Sequence, residues 1–328
     1  MASTVLVVTA LEDVTADWVI TALNEREVPV IRLDPADIGA GLVFGARIGA
    51  GSSAWGGRLV TGSREVELGE VTAVYYRRPT PYAARYGHLP AQARGFATAE
   101  ARHGLGGVLN HLHGAFYVNH PSAVTAADFK PAQLQQAAQL GLTIPPTLVT
   151  NDVEQARKFA AGHGPVIYKT FRGLPTGEDG HTGAIWAQRV DPDTFDDSLA
   201  VTAHLFQGEV PKTGDVRVTV VGRRVFAQQI AAPDGALDWR RGDWDALLHA
   251  PIAVPAPVEA ALHRYLAAFD LVFGCFDFAL TGDGDAADDW VFIECNPNGQ
   301  WGWLPDVGDI TTAFADILSR TTEGDWAR

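Results

Sequence analysis

Short apolar runs separated by polar turns fill the first third of the chain. Val5-Leu-Val-Val8 is a compact β-branched run, and runs of this kind predict buried strands. Thr15 offers a helix cap ahead of apolar positions Trp18, Val19, Ala22 and Leu23, a spacing that predicts a helix. Val28–Leu33 returns to strand and completes a βαβ opening. The first turn, Thr9–Val14, contains no glycine, so the pyrophosphate fingerprint of a dinucleotide site is missing. From Phe44 to Val71, strand-like pieces alternate with Gly and Ser turns, predicting an antiparallel insertion. Val71–Tyr76 is a further strand that delivers Arg77 and Arg78 to its end, where Pro79 breaks it. Adjacent arginines there either grip carboxylates or phosphates or form a solvated turn. Ala91–His113 is helical in character, and Phe116–Pro121 reads as a last strand and turn, which places a boundary near residue 121.

The next stretch, Ala126–Gly141, has Pro131 near its start and Gly141 past its end, the asymmetry expected of a helix. Lys130 falls in its first turn, where it opposes the helix dipole unless it serves a ligand. Ile144–Val149 is extended, and Asn151 or Asp152 caps a helix to Ala161. Pro165–Thr170 is an apolar strand carrying Lys169 near its end, followed by the glycine-rich Arg172–Gly183. Backbone N–H groups of such a loop suit phosphates, and a plain hairpin turn explains it equally. The lysine precedes the glycines, so the Walker pattern does not fit. Ala203–Lys212 links to a third unit, in which Asp215–Val221 and Arg224–Ile230 form a hairpin and Asp238–Arg241 a polar loop. Pro255–Asp270 is an amphipathic helix, Leu271–Leu280 and Trp290–Asn296 pair as strands, and a helix through Ile310, Phe314, Ile317 and Leu318 closes the chain.

Strand alternation puts Glu294 and Asn296 on one face, and pairing of the last two strands brings Asp277 beside Glu294. Two carboxylates and an amide oxygen are hard ligands suited to Mg2+. An unpaired carboxylate in an apolar strand is costly, so Asp277 reads as a ligand. The 328 residues allow two or three units. A formal charge of −14 argues against nucleic acid as a partner. No apolar run is long enough to span a membrane and the start lacks a basic-then-apolar segment, so the expected location is cytoplasmic. Cys275 and Cys295 lie in predicted strands without CxxC spacing and read as reduced core thiols. His111 and His113, two apart on a predicted helix, face different ways and do not share a metal. Trp301 and Trp303 either stack on a substrate or pack against the final helix.

In order and spacing, five features resemble the ATP-grasp superfamily across essentially the whole chain. They are Lys130 before a helix, Lys169 ahead of a glycine loop, Phe206–Val210, Asp215-Val-Arg217, and Asp277 with Glu294-Cys-Asn296. Finer details are similar to actinobacterial ATP-grasp ribosomal peptide maturases, which form ω-ester or ω-amide crosslinks (graspetides). These details are Tyr75–Pro79, Val118–Pro121, Lys130 with Gln133-Leu134, Gly141–Thr147, Asp238-Trp-Arg240 and above all Asn296–Trp301. The resemblance implies an α/β (α+β) ATP-grasp fold: an N-terminal pre-ATP-grasp domain (1–121), a central lid subdomain (122–206) and a C-terminal antiparallel-sheet subdomain with the metal site (207–328). It also implies a homodimer.

By the same resemblance, the enzyme activates an Asp or Glu carboxylate with ATP as an acylphosphate, which a Ser/Thr hydroxyl or Lys amine displaces. Asp277, Glu294 and Asn296 would hold one or two Mg2+ ions, with Glu294 bridging. Lys130 and Lys169 would contact phosphates. Gln207, Glu209 and Val210 would border adenine, and Lys212 would approach the ribose. Gly208 stands where related hinges often carry an acidic residue, so the hinge roles can shift by one. Arg217 and Arg240, the latter competing with Arg241, would steady the acylphosphate or the acidic peptide. The implied partner is a precursor peptide with a leader and an acidic core. Alternatives are a ligase adding free amino acids to a carboxylate, and an inactive ATP-grasp binding module.

Overall fold

A computed structural model of the protein describes residues 3–39, 41–49, 51–172, 185–232 and 237–319. Most of the Arg172–Gly183 loop lies outside the described residues. The chain begins with β1 (Thr4–Val8), α1 (Val14–Glu25) and β2 (Val30–Leu33). It continues through β3 (Leu42–Gly49), β4 (Ser52–Thr61), β5 (Glu65–Glu67), β6 (Val71–Tyr76), α2 (Tyr82–Arg85), α3 (Ala91–Leu109) and β7 (Phe116–Val118). Strands β2-β1-β6-β7 form a parallel sheet, and β3-β4-β5 the antiparallel insertion. Both faces of β1 are buried, as a parallel sheet requires. Leu6 and Val8 pack toward Leu59, Leu105 and Leu109, while Val5 and Val7 face the other way.

Two local expectations are corrected in this region. Asp13, not Thr15, is the N-cap of α1; its side chain accepts from the Ala16 backbone N–H, as a carboxylate at that position does well. Thr15 is buried and donates instead to Gln300 Oε1 at 2.9 Å. The helix expected to reach His113 ends at Leu109 with Asn110 as its C-cap, so His111 and His113 lie beyond it.

The chain continues with α4 (Pro121–Ala127), α5 (Lys130–Gln139), β8 (Thr147–Thr150), α6 (Val153–His163), β9 (Val166–Lys169), β10 (Gln188–Val190) and β11 (His204–Gly208). What the sequence suggested was one helix from Ala126 is two, and Pro121 opens the first of them. Asp152 is the cap of α6. Strands β10-β9-β11-β8 form an antiparallel sheet under α6. The segment expected as a link is therefore a paired strand through Gly208.

The last elements are β12 (Gly214–Val221), β13 (Arg224–Ala231), β14 (Leu248–Pro251), α7 (Ala256–Ala268), β15 (Phe273–Leu280), β16 (Trp290–Asn296) and α8 (Val307–Leu318). Strands β14-β13-β12-β15-β16 form an antiparallel sheet. One face, with Val216, Val218, Phe276, Phe278 and Phe292, packs on α5 and α7. Near the other face, Phe273, Trp301, Phe314 and Leu318 join Val5, Val7, Val19 and Leu23 in a single core. The N-terminal sheet and α8 thus share their apolar interior. No helix among the described residues is long and apolar enough to cross a membrane.

Candidate active site

The candidate site lies between the β9–β11 sheet and the uncovered face of β12, β15 and β16. Register explains how its carboxylates meet. Asp277 of β15 is opposite Glu294 of β16 on one side and Arg217 of β12 on the other. A β-bulge follows: Phe278 is paired with Phe292, so Ile293 is the extra residue. That extra residue changes the phase of the alternation, so Phe292 enters the core while Glu294, two positions on, faces the site.

Each carboxylate is held by cations. Arg217 Nη1 donates to Asp277 Oδ1 at 2.6 Å, and both residues are buried. Lys130, at the first residue of α5, donates to Glu294 Oε2, and Arg240 Nη1 donates to Glu294 Oε1 at 3.1 Å. Burial alone would raise the Glu294 carboxyl. Lys130, Arg240 and Lys169 together outweigh it and hold that carboxyl well below the usual range. Asn296 Nδ2 reaches Asp277 Oδ2 at 3.2 Å and Glu294 Oε1 at 3.4 Å, so the amide bridges the two carboxylates. Among the described residues no cluster of three or more His, Cys, Asp or Glu side chains has metal-binding geometry. The donor set here is two carboxylates and an amide, which suits a hard divalent cation that keeps several waters.

Two adjoining compartments open above this platform. The first is lined by Ile167, Val210, Ala279 and Ile293, with Gln207, Lys212 and Lys169 at its polar points. Gln207 Nε2 donates to Thr147 Oγ1 at 3.0 Å, while Gln207 Oε1 is buried without a partner among the described residues. Lys212 binds Asp215, at 2.8 and 2.6 Å, and the Leu237 carbonyl. Glu209 is not part of this wall; it pairs with Arg189 at 2.6 and 2.8 Å. Lys169, Asp238 and Arg240 line both compartments. The second compartment is polar, with five cations (Arg78, Lys130, Lys169, Arg172, Arg240) against three carboxylates (Asp128, Asp238, Glu294). In a chain of net charge −14, that local positive excess marks a place for anions.

Several positioning residues carried no chemistry in the sequence. Asp238 forks onto Arg240 at 2.8 and 3.1 Å and fixes it toward Glu294, whereas Arg241 is exposed. Gln133 is bonded to the backbone of Cys295 through both amide atoms, at 2.8 and 3.0 Å, and so acts as a strand beside β16. Asn119 Nδ2 donates to the carbonyls of Phe273 and Pro297 at 2.8 Å each. The loop after Asn296 is a latch. Asn298 Nδ2 donates to the Arg77 carbonyl at 2.9 Å, Gln300 Oε1 accepts from Arg77 and Thr15, and the Gln300 carbonyl accepts from Arg217 at 3.0 Å. Arg77 itself is buried and ion-paired to Asp13 at 2.7 Å, so it belongs to the latch rather than to a solvated turn. Trp301 is fully buried and stacked on Phe314 of α8, with centroids 5.1 Å apart, which is packing. Trp303 joins Trp239, Trp244 and His249 in an aromatic cluster. Cys275 and Cys295 are buried free thiols, as expected.

Residues 4–125 match the MvdD pre-ATP grasp domain family. Nearly the whole chain, 96–97% of it, superposes on solved ATP-grasp ligases. It has the ATP-grasp fold. A Chryseobacterium gregarium RiPP-associated ATP-grasp ligase, solved with ADP and a leader and core peptide, is 27% identical at a TM-score of 0.85, covering 96% of each chain. The macrocyclase MdnC of Microcystis aeruginosa MRC, bound to the precursor peptide MdnA, is 27% identical at 0.83, covering 96% of this chain and 99% of that one. MdnB of the same organism is 27% identical at 0.77, covering 97% and 99%. No curated protein matches the sequence.

Proposed function

We propose that the protein is an ATP-dependent ligase that crosslinks side chains of a ribosomally made precursor peptide. The observation that carries this reading is the pair of compartments, one apolar and one cationic, meeting at Lys169 above Asp277 and Glu294. Full-length similarity to ligases solved with precursor peptides supports it.

Adenine would occupy the apolar compartment between Ile167 and Ile293, its exocyclic amine donating to the orphaned Gln207 Oε1. Val210 would offer its backbone, Lys212 would approach the ribose, and Glu209 would support the hinge through Arg189. Lys169 and Lys130 would receive the phosphates. Asp277, Glu294 and Asn296 would hold Mg2+, one or two ions, which supplies neutralisation of phosphoryl charge when bound. An Asp or Glu carboxylate oxygen of the peptide forms a bond to the γ-phosphorus as the bond to ADP breaks. A Ser/Thr hydroxyl or Lys amine then attacks the acyl carbon, its proton is lost, and phosphate leaves. Negative charge develops on oxygens in both steps, and Arg217 and Arg240, fixed by Asp277 and Glu294, would be the cations that steady it.

The reading includes a three-unit division at 121 and 206, action as a homodimer, and a cytoplasmic setting consistent with the two free thiols. Light scattering showing twice the 35.1 kDa chain mass would support the dimer, and the single-chain mass would exclude it. The decisive experiment is mass spectrometry after incubation with a candidate precursor, ATP and Mg2+. Loss of one water mass per crosslink, with matching ADP release, is expected. A gain equal to an amino-acid residue would replace the reading with amino-acid ligation. Undiminished ADP release by Asp277→Asn would remove the assignment of the site.

A further inference from the structure

Two cations lining the polar compartment, Lys169 and Arg78, form no ion pair among the described residues, whereas Lys130, Arg172 and Arg240 each have a carboxylate partner. Lys169 lines both compartments, but Arg78 lines only the polar one. Arg78 arrives from a different part of the fold, immediately beyond β6 of the N-terminal sheet. Its stem is fixed at two points: the backbone N–H donates to Thr9 Oγ1 at 3.4 Å, and Nε donates to the Asn298 carbonyl at 3.1 Å. Asn298 in turn binds the Arg77 carbonyl, so the two segments clasp each other. With Nε used, the two terminal nitrogens remain as a fork, and a planar fork matches a carboxylate in two parallel hydrogen bonds.

Arg77, Arg78 and Arg217 crowd positive charge at this point, and partial desolvation of a side chain that stays open to solvent, with that repulsion, pulls the Arg78 guanidinium below its usual range. Arg77 and Arg217 discharge the strain onto Asp13 and Asp277. Arg78 has no such partner among the described residues, which makes an arriving anion its natural counter-charge. We infer that Arg78 is a specificity-determining residue that binds a side-chain carboxylate of the peptide substrate and so selects acidic peptides for this site. The inference rests on the ligase reading above.

The test is isothermal titration of wild type and Arg78→Ala, first with MgADP and then, on the MgADP complex, with synthetic hexaglutamate and with hexaglutamine as the uncharged control. Arg78 is exposed and among the described residues its side chain makes one hydrogen bond, so the variant folds. Wild type should bind hexaglutamate and not hexaglutamine. Arg78→Ala should weaken hexaglutamate roughly tenfold or more while MgADP affinity stays within about twofold. Equal hexaglutamate binding by the two proteins overturns the inference, as does equal binding of the two peptides by wild type. A matching loss of MgADP affinity makes Arg78 a phosphate ligand and also overturns it. Wild type that binds no MgADP removes the ligase reading and this inference together.

Discussion

Lys169 sits where the two compartments meet, and its surroundings set its charge. Burial lowers its pKa to about 8; Glu294 and Asp238 oppose the fall, and Lys130 and Arg240 add to it. In the free protein the ammonium is therefore intact below pH 8 and lost above it. A phosphate favours the charged form, so binding above pH 8 must take up a proton. MgADP affinity should then fall by about tenfold per pH unit above the free-state value, until the raised pKa of the complex is reached. Calorimetry in buffers of different ionisation enthalpy would show the uptake directly, and Lys169→Met should abolish both the uptake and the slope. A flat affinity between pH 7.5 and 9.5, an interval chosen to bracket the value of about 8, would separate Lys169 from the phosphates. Lys169 was readable in the sequence because a charged residue near the end of an apolar strand is conspicuous. Asp238 and Gln133 stood out only by resemblance and without a role, because their partners, Arg240 within a loop and the backbone of β16, are defined only by the fold.

Elements set these side chains through features that alternation does not encode. Apolar runs revealed β15 and β16 and even their pairing, yet strict alternation would place Phe292 and Glu294 on one face. The bulge at Ile293 separates them, one to the core and one to the site. The latch loop is similar: Asn298-Gly-Gln-Trp stood out only by resemblance. Its physical content is a set of contacts to Arg77, Thr15 and Arg217, more than eighty residues away in sequence at the nearest. At the far end of that latch, Asp13 does two jobs, capping α1 and neutralising the buried Arg77. Asp13→Ala leaves an arginine buried without its carboxylate, a loss of about 3–5 kcal/mol by the usual cost of breaking a buried pair. The missing cap adds about 1 kcal/mol. Urea unfolding should show this loss, and the double variant Asp13→Ala/Arg77→Met should recover part of it. A change confined to the cap's share would mean that water solvates Arg77.

At the scale of the molecule, chain order and packing order diverge. The alternating strand–helix region that ends with β7 was legible in the sequence. That this region shares one apolar interior with the last helix was not, because a hydrophobic pattern identifies a buried face without naming what covers it. Val5, Val7, Val19 and Leu23 meet Phe273, Trp301, Phe314 and Leu318, and the latter four come from beyond residue 270. An isolated 1–121 fragment would expose this face of its parallel sheet to water, and parallel sheets are stable with both faces covered. The fragment should therefore lack a cooperative thermal transition by near-ultraviolet circular dichroism, while the full chain unfolds these regions together. The same coupling bears on the site, since the latch that positions Arg217 begins on α1 and β6. A fragment 1–121 with a sharp transition and dispersed amide resonances would show that the first sheet is self-sufficient, and would leave the latch as the principal tie between it and strands β12, β15 and β16.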